Sequence, residues 1–152
     1  LKRIGWYSHG RTRWYFNSTM VRLKLEDGRL IWLDGEWLSG VWHSGIWHSG
    51  IWRGGRWMTG LWLGGEFLGG EWLSGVWRAG NWRNGGTWHN GVWLSGNWLS
   101  GQWHGGEWYN GTWFSGTWHA GVWHAGEWLD GVWLSGQWLG GSWEGGTRKP
   151  AE

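Results

Sequence analysis

From Ile31 onward the chain repeats one large apolar residue, two variable residues and two small ones in a fixed five-residue order. "GVWHSGIWHSGIWRGG" (Gly40 to Gly55) shows the unit as variable–Trp–variable–small–Gly. A first array of eleven pentads runs from Ile31 to Gly85 and a second of twelve from Thr87 to Gly146, with Gly86 inserted between them. All 23 pentads end in Gly, and 22 carry Trp at the second place, with Phe67 as the one substitute. The fourth place admits only Ser, Gly, Asn, Ala, Asp or Thr, while the first and third vary freely. Two constrained kinds of place and two free ones predict an inside and an outside.

A helix cannot use this period. At about 100° per residue, a Trp every five residues steps round the axis and never forms a face. Gly in every pentad would also cost about 0.8–1 kcal/mol each relative to Ala. One long flat strand fails as well, because an odd spacing sends successive Trp to opposite faces. The pattern works if the chain turns once per pentad. A short extended segment then points its Trp inward, and the small–Gly pair makes the corner, where Gly tolerates a positive φ. Equivalent segments of successive coils lie about 4.8 Å apart, so the backbone hydrogen bonds run between coils. The expected core is Trp32, Trp37, Trp42, Trp47, Trp52, Trp57, Trp62, Phe67, Trp72, Trp77, Trp82, Trp88, Trp93, Trp98, Trp103, Trp108, Trp113, Trp118, Trp123, Trp128, Trp133, Trp138 and Trp143.

These units resemble pentapeptide-repeat proteins. In "GEWLS" (Gly35 to Ser39), Trp37 corresponds to the large inward residue at the pentad centre and Gly35 to the small inward residue two places before it. The resemblance implies an all-β, right-handed β-solenoid with four sides and 20 residues per coil, here with Trp for the usual Leu or Phe. A larger centre with a smaller partner roughly keeps core volume. The units also resemble the W/F-x-G-G runs of uncharacterised tailed-phage proteins. The residues themselves leave the coil size open. Ile31, Val41, Ile51 and Leu61 form a column at a spacing of ten. Ile31, Ile46, Leu61 and Val76 form one at fifteen, as do His89, His104 and His119. Four sides rest on the resemblance alone.

Three regions follow: an arm and cap over residues 1–30, the solenoid over 31–146, and a tail over 147–152. In "VRLKLEDGRLIWL", Val21, Leu23 and Leu25 alternate with charged residues, and Asp27-Gly28 suits a type I′ turn. This predicts a hairpin that feeds the first pentad and caps the first coil, helped by Trp6, Tyr7, Trp14, Tyr15 and Phe16. No comparable cap is expected after Gly146. The net charge is +2, but residues 1–30 carry seven Lys and Arg against Glu26 and Asp27, which leaves the body at −3.

Composition supplies little chemistry. With 24 Trp, 33 Gly, one Pro and no Cys, the chain fits neither collagen, disorder, a disulfide scaffold nor a thiolate metal site. No apolar run is long enough to span a membrane, and no secretory signal pattern is present. Six His (His43, His48, His89, His104, His119 and His124) share the third place, read as outward surface, although a 15-residue coil stacks three of them. Glu36, Glu66, Glu71, Glu107, Glu127 and Asp130 are scattered over variable or small places, Ser fills the corners, and no Lys-Ser/Thr follows the glycines of a phosphate loop. No enzyme, cofactor, metal or small-molecule ligand is expected.

The outward apolar residues are the partner-contact candidates: Leu63, Leu68, Leu73, Leu94, Leu99, Tyr109, Phe114, Leu134 and Leu139, all at the third place. A large apolar exterior calls for a covering partner. The expectation is a structural or assembly module that packs against its own copies or other chains, plausibly in a phage virion or tail fibre. A virion or extracellular setting is favoured over a cytoplasmic one. The alternative is a glycan- or surface-binding repeat. A body charge of −3 gives no acidic surface able to mimic DNA, nucleic acid has only the basic arm to hold, and no membrane partner is expected.

Overall fold

The computed structural model describes the backbone of residues 2–9, 12–26 and 29–149 and the side chains from Leu30 to Lys149. It is an all-β parallel solenoid. Strands β1 (Lys2–His9), β2 (Thr12–Glu26) and β3 (Arg29–Trp42) are followed by 20 strands of two residues each, one per pentad from Ile46–Trp47 to Ser142–Trp143, and by a last short strand, Thr147–Arg148, beyond the final pentad. Each pentad strand is the first place and the large aromatic residue of its unit, and the remaining three residues turn the chain.

The register fixes the coil. Ile46 and Trp47 pair in parallel with Ile31 and Trp32, and then with Leu61 and Trp62. Each coil therefore holds 15 residues and has three sides, giving about eight coils rather than the five to six that 20-residue coils would make. The correction has a packing reason. Consecutive indoles meet edge to face, as Trp47 and Trp52 do at 5.9 Å and 71°. Three rings at that spacing close a triangular cross-section, whereas four would enclose an empty axis, and protein interiors do not keep such voids. Along the axis the rings stack in three columns, for example Trp93 on Trp108 at 4.8 Å and 7°. Phe67 keeps its column continuous between Trp52 and Trp82.

The hydrogen bonds follow one rule throughout the array. The first-place N–H donates to the corner-glycine carbonyl one coil earlier, and the third-place N–H donates to the Trp carbonyl one coil earlier. Leu61 N to Gly45 O (2.9 Å) and Leu63 N to Trp47 O (2.8 Å) are one such pair. The corners need Gly for two separate reasons. All 23 pentad-final glycines have positive φ, from 76° to 130°. In addition, a Cβ on Gly55 would lie 2.2 Å from the Gly40 carbonyl oxygen. The corner of each coil sits on the corner of the previous one.

Small fourth-place residues do more than fit. Ser74 and Ser115 donate their hydroxyls to the third-place carbonyls of Met58 and Leu99 in the coil before, each at 2.8 Å. Asn90, Asn110 and Asp130 accept the N–H of the glycine that follows them. Several indoles reach the next coil in the same way, as Trp52 Nε1–H does to the Gly69 carbonyl at 3.1 Å.

The inserted residue is absorbed at one corner. Asn84 and Gly85 both have positive φ (61° and 76°), the pattern of a type I′ turn. Gly85 is exposed, and a Cβ there would meet nothing within 4 Å. Gly86 is buried, and its carbonyl accepts Gln102 N–H as the other corner glycines do for their own coils. The extra residue is thus Gly85 in structural terms, and Gly86 fills the regular corner. The columns resume in register, with Trp72 pairing with Trp88 and Trp88 with Trp103.

At the N-terminal end, β2 runs antiparallel along β3 from Glu26↔Arg29 to Tyr15↔Val41, with register shifts near Asn17 and Arg22. β1 pairs antiparallel with β2 in turn. The upstream edge of the first coil is therefore hydrogen-bonded, and Leu30 and Trp32 are fully buried. The Asp27-Gly28 turn, the side chains of Trp6, Tyr7, Trp14, Tyr15 and Phe16, and the tail from Pro150 lie outside the described residues. Every core residue from Trp32 to Trp133 is buried, while Trp138 and Trp143 in the last coil are half-buried against the same cluster.

Candidate interaction face

Because Trp points inward from the second place, the first and third places line the outside, and a 15-residue coil sorts them into three faces. The pentads beginning at Glu36, Ile51, Glu66, Asn81, Asn97, Thr112, Glu127 and Ser142 make a face whose first-place column is polar but for Ile51, termed the polar face. Its third-place column includes Leu38, Leu68, Leu99, Phe114 and Leu129. Arg53 pairs with Glu36, and Arg83 with Glu66 at 3.0 Å. Asn81 donates to Glu66 and Asn97 to Asn81, both at 3.0 Å, so the amides form a ladder.

The second face carries the histidines. His89, His104 and His119 stack in one column, with ring centroids 5.5 and 4.4 Å apart. His119 Nε2 meets Gln102 Oε1 at 2.8 Å, and Glu71 lies 3.5 Å from Arg56 and 3.9 Å from His89. The His104 imidazole is held below its ordinary pKa by partial burial, then by the neighbouring His119 and His89. Parallel rings in a column do not aim their nitrogens at one point. No group of three or more His, Asp or Glu among the described residues is placed to hold a metal ion. His124 belongs to the third face, where it stacks on Tyr109 at 4.2 Å.

The third face is apolar. Its first-place column is Ile31, Ile46, Leu61, Val76, Val92, Glu107, Val122 and Gln137. Beside it the third place supplies Leu33, His48, Leu63, Arg78, Leu94, Tyr109, His124 and Leu139. Leu139 is 61% exposed, Tyr109 38% and Leu94 37%. An open groove of about 420 Å³ runs beside the column, lined by Ser44, Gly45, Ile46, Gly60, Leu61 and Val76. Tyr109 O–H donates to Glu107 Oε2 at 2.7 Å, and this bond raises the tyrosine pKa.

The nine contact candidates are thereby divided. Leu63, Leu94, Tyr109 and Leu139 fall on the apolar face; Leu68, Leu99 and Phe114 on the polar face; Leu73 and Leu134 on the histidine face. What reasoning from the third place alone missed is the β-branched first-place column. The signal was there in Ile31, Ile46, Leu61 and Val76, which served as a ruler for coil size but not as a surface.

No family model, no curated protein and no solved structure matches the chain.

Proposed function

We propose that the protein is a non-enzymatic structural module, a rigid solenoid that packs sideways against other chains through its apolar face. The observation that supports this reading is the gathering of Ile46, Leu61, Val76, Val92, Leu94 and Leu139 on one side of the prism. The other two sides mix ion pairs, amides and imidazoles with fewer apolar residues, among them the exposed Phe114 and Val132. Scattered surface apolar residues need no partner, but a face on which apolar residues predominate from Ile31 to Leu139 does. The three-column Trp core gives such a module stiffness, because each coil is stacked on two neighbours. The resemblance of the units to W/F-x-G-G runs of tailed-phage proteins supports a place in a virion or tail fibre.

The test is sedimentation velocity of the purified protein at about micromolar concentration. A species heavier than one chain, dispersed by a charge placed at Leu94 on the apolar face, is the expected result. A monomer at every concentration would favour a module that binds a glycan or another surface.

A further inference from the structure

We infer that the apolar face pairs with itself, two copies packing antiparallel and face to face about a two-fold axis through the Val92–Leu94 rung. The inference rests on the structural reading above and adds to it a partner and a register.

Two formal charges, Arg78 and Glu107, stand on this largely apolar face, whose other polar residues are His48, His124 and Gln137. Arg53, Arg56 and Arg83 each have a carboxylate partner within the chain, Glu36, Glu71 and Glu66. Arg78, the remaining arginine of the array between Ile31 and Gly146, has no ion pair among the described residues. It stands in the third-place column between Leu63 and Leu94. Glu107 on the same face accepts the Tyr109 hydroxyl but meets no cation among the described residues. Covering this face would strip water from both charges, and unpaired charges strongly resist burial. Whatever covers the face must bring the opposite charge to each.

The face itself does so. Arg78 lies one rung before Val92–Leu94 and Glu107 one rung after it. In a two-fold interface, if residue i touches j then j touches i. An antiparallel dyad through Val92–Leu94 brings Arg78 of each copy to the Glu107–Tyr109 pair of the other, guanidinium beside carboxylate and over the phenol ring. It also sets Leu61 opposite Val122. A parallel pairing, with the dyad along the solenoid axis, keeps each rung opposite itself and draws like charges together. The charges therefore select the antiparallel arrangement. Both ion pairs sit about 4.8 Å along the axis from the dyad, so twist between the faces displaces them little. The dyad leaves the Ile31–Leu33 rung unopposed, and the seven rungs that overlap, one pentad side wide, bury on the order of 1,000 Å² in total, the lower limit for a specific interface and suited to dimers of micromolar affinity.

Sedimentation equilibrium on the full chain tests this with Arg78→Glu, Glu107→Arg and the double reversal, circular dichroism confirming that each variant keeps its strands. Wild type is expected to dimerise. Each single reversal should weaken dimerisation by at least about tenfold, and the double reversal should restore it. An equimolar mixture of the two single variants should form heterodimers, since every 78–107 contact in the mixed pair is again oppositely charged. Association that ignores all three variants would overturn this register while leaving the structural reading intact. A protein monomeric at every concentration would overturn both.

Discussion

Trp72 stacks on Trp88 with ring centroids 4.8 Å apart and planes 6° apart, although one residue more separates them than separates Trp57 from Trp72, which stack at 4.6 Å and 5°. The extra residue is spent at the Asn84–Gly85 corner, and the core columns do not register it. Stacking geometry inside the prism is what each coil reproduces. The corner outside adjusts to it.

The columns therefore set the stability. Trp113 stacks on Trp98 and Trp128 at 4.8 and 4.7 Å and meets Trp108 and Trp118 edge-on at 5.9 Å. Trp113→Ala leaves a cavity among four rings and should cost about 3–5 kcal/mol. Glu127→Gln, on an exposed first-place residue, should cost less than about 0.5 kcal/mol. Urea unfolding of the two variants checks this, and equal losses would reject the division into inside and outside.

How much of this was legible follows from which residues carry which information. The Trp and Gly places repeat with every pentad, so they announced the solenoid, its core and its corners, but they are identical on every side and cannot count sides. Only the variable places can. The column of Ile31, Ile46, Leu61 and Val76 and that of His89, His104 and His119 both mark fifteen, and the structure stacks both. The four-sided expectation came from a resemblance to solenoids with Leu or Phe centres, and a resemblance in the constrained places carries no count of sides. The apolar face was hidden for a related reason: without the coil size, no one can say which outward residues are neighbours.

Adjacent glycines should respond oppositely to one methyl group. Gly55 has φ 110°, and its Cβ would strike the Gly40 carbonyl at 2.2 Å, so Gly55→Ala should cost at least about 2 kcal/mol. Gly54 occupies the fourth place without a positive φ, and its Cβ would come to 3.7 Å of the Leu38 carbonyl oxygen, an ordinary contact. Gly54→Ala should be neutral, or stabilising by about 0.4–1 kcal/mol through the unfolded chain. Chemical denaturation of the pair decides it.

The histidine column should make stability fall toward acid. Unfolded, His104 takes up its proton near its ordinary pKa of 6.5; folded, burial and then its two imidazole neighbours delay uptake to lower pH. Between those two values the unfolded chain binds more protons, so stability declines as pH drops through the window and levels off below the folded pKa. An NMR titration should place the His104 midpoint below 6.5 in wild type and closer to it in His119→Gln. The fall in melting temperature between about pH 7 and pH 5 should be shallower in His104→Gln. An unchanged profile in both variants would remove the column from the account.

Deleting Gly85 should be nearly silent, and deleting a residue from a regular corner should not. Gly85 is exposed, stands in open space where even an added Cβ would meet nothing within 4 Å, and is the residue by which this corner exceeds the others. Without it, Asn84 and Gly86 form an ordinary small–Gly pair. Gly86 already receives the Gln102 N–H and, as a glycine, can take the positive φ of its equivalents. The expected change is within about 1 kcal/mol, because one corner shortens and no column moves. Deleting Ala79 instead leaves Arg78 joined directly to Gly80 across a corner that has no residue to spare. Either the chain strains to close that corner or every residue beyond it slips by one place. A slip would turn the following Trp side chains outward, since adjacent residues of a strand face opposite ways. Thermal unfolding should show the Gly85 deletion melting near wild type and the Ala79 deletion far below it, with red-shifted tryptophan emission if the slip occurs. Equal tolerance of the two deletions would mean that the corners, rather than the stacked indoles, absorb length wherever it changes.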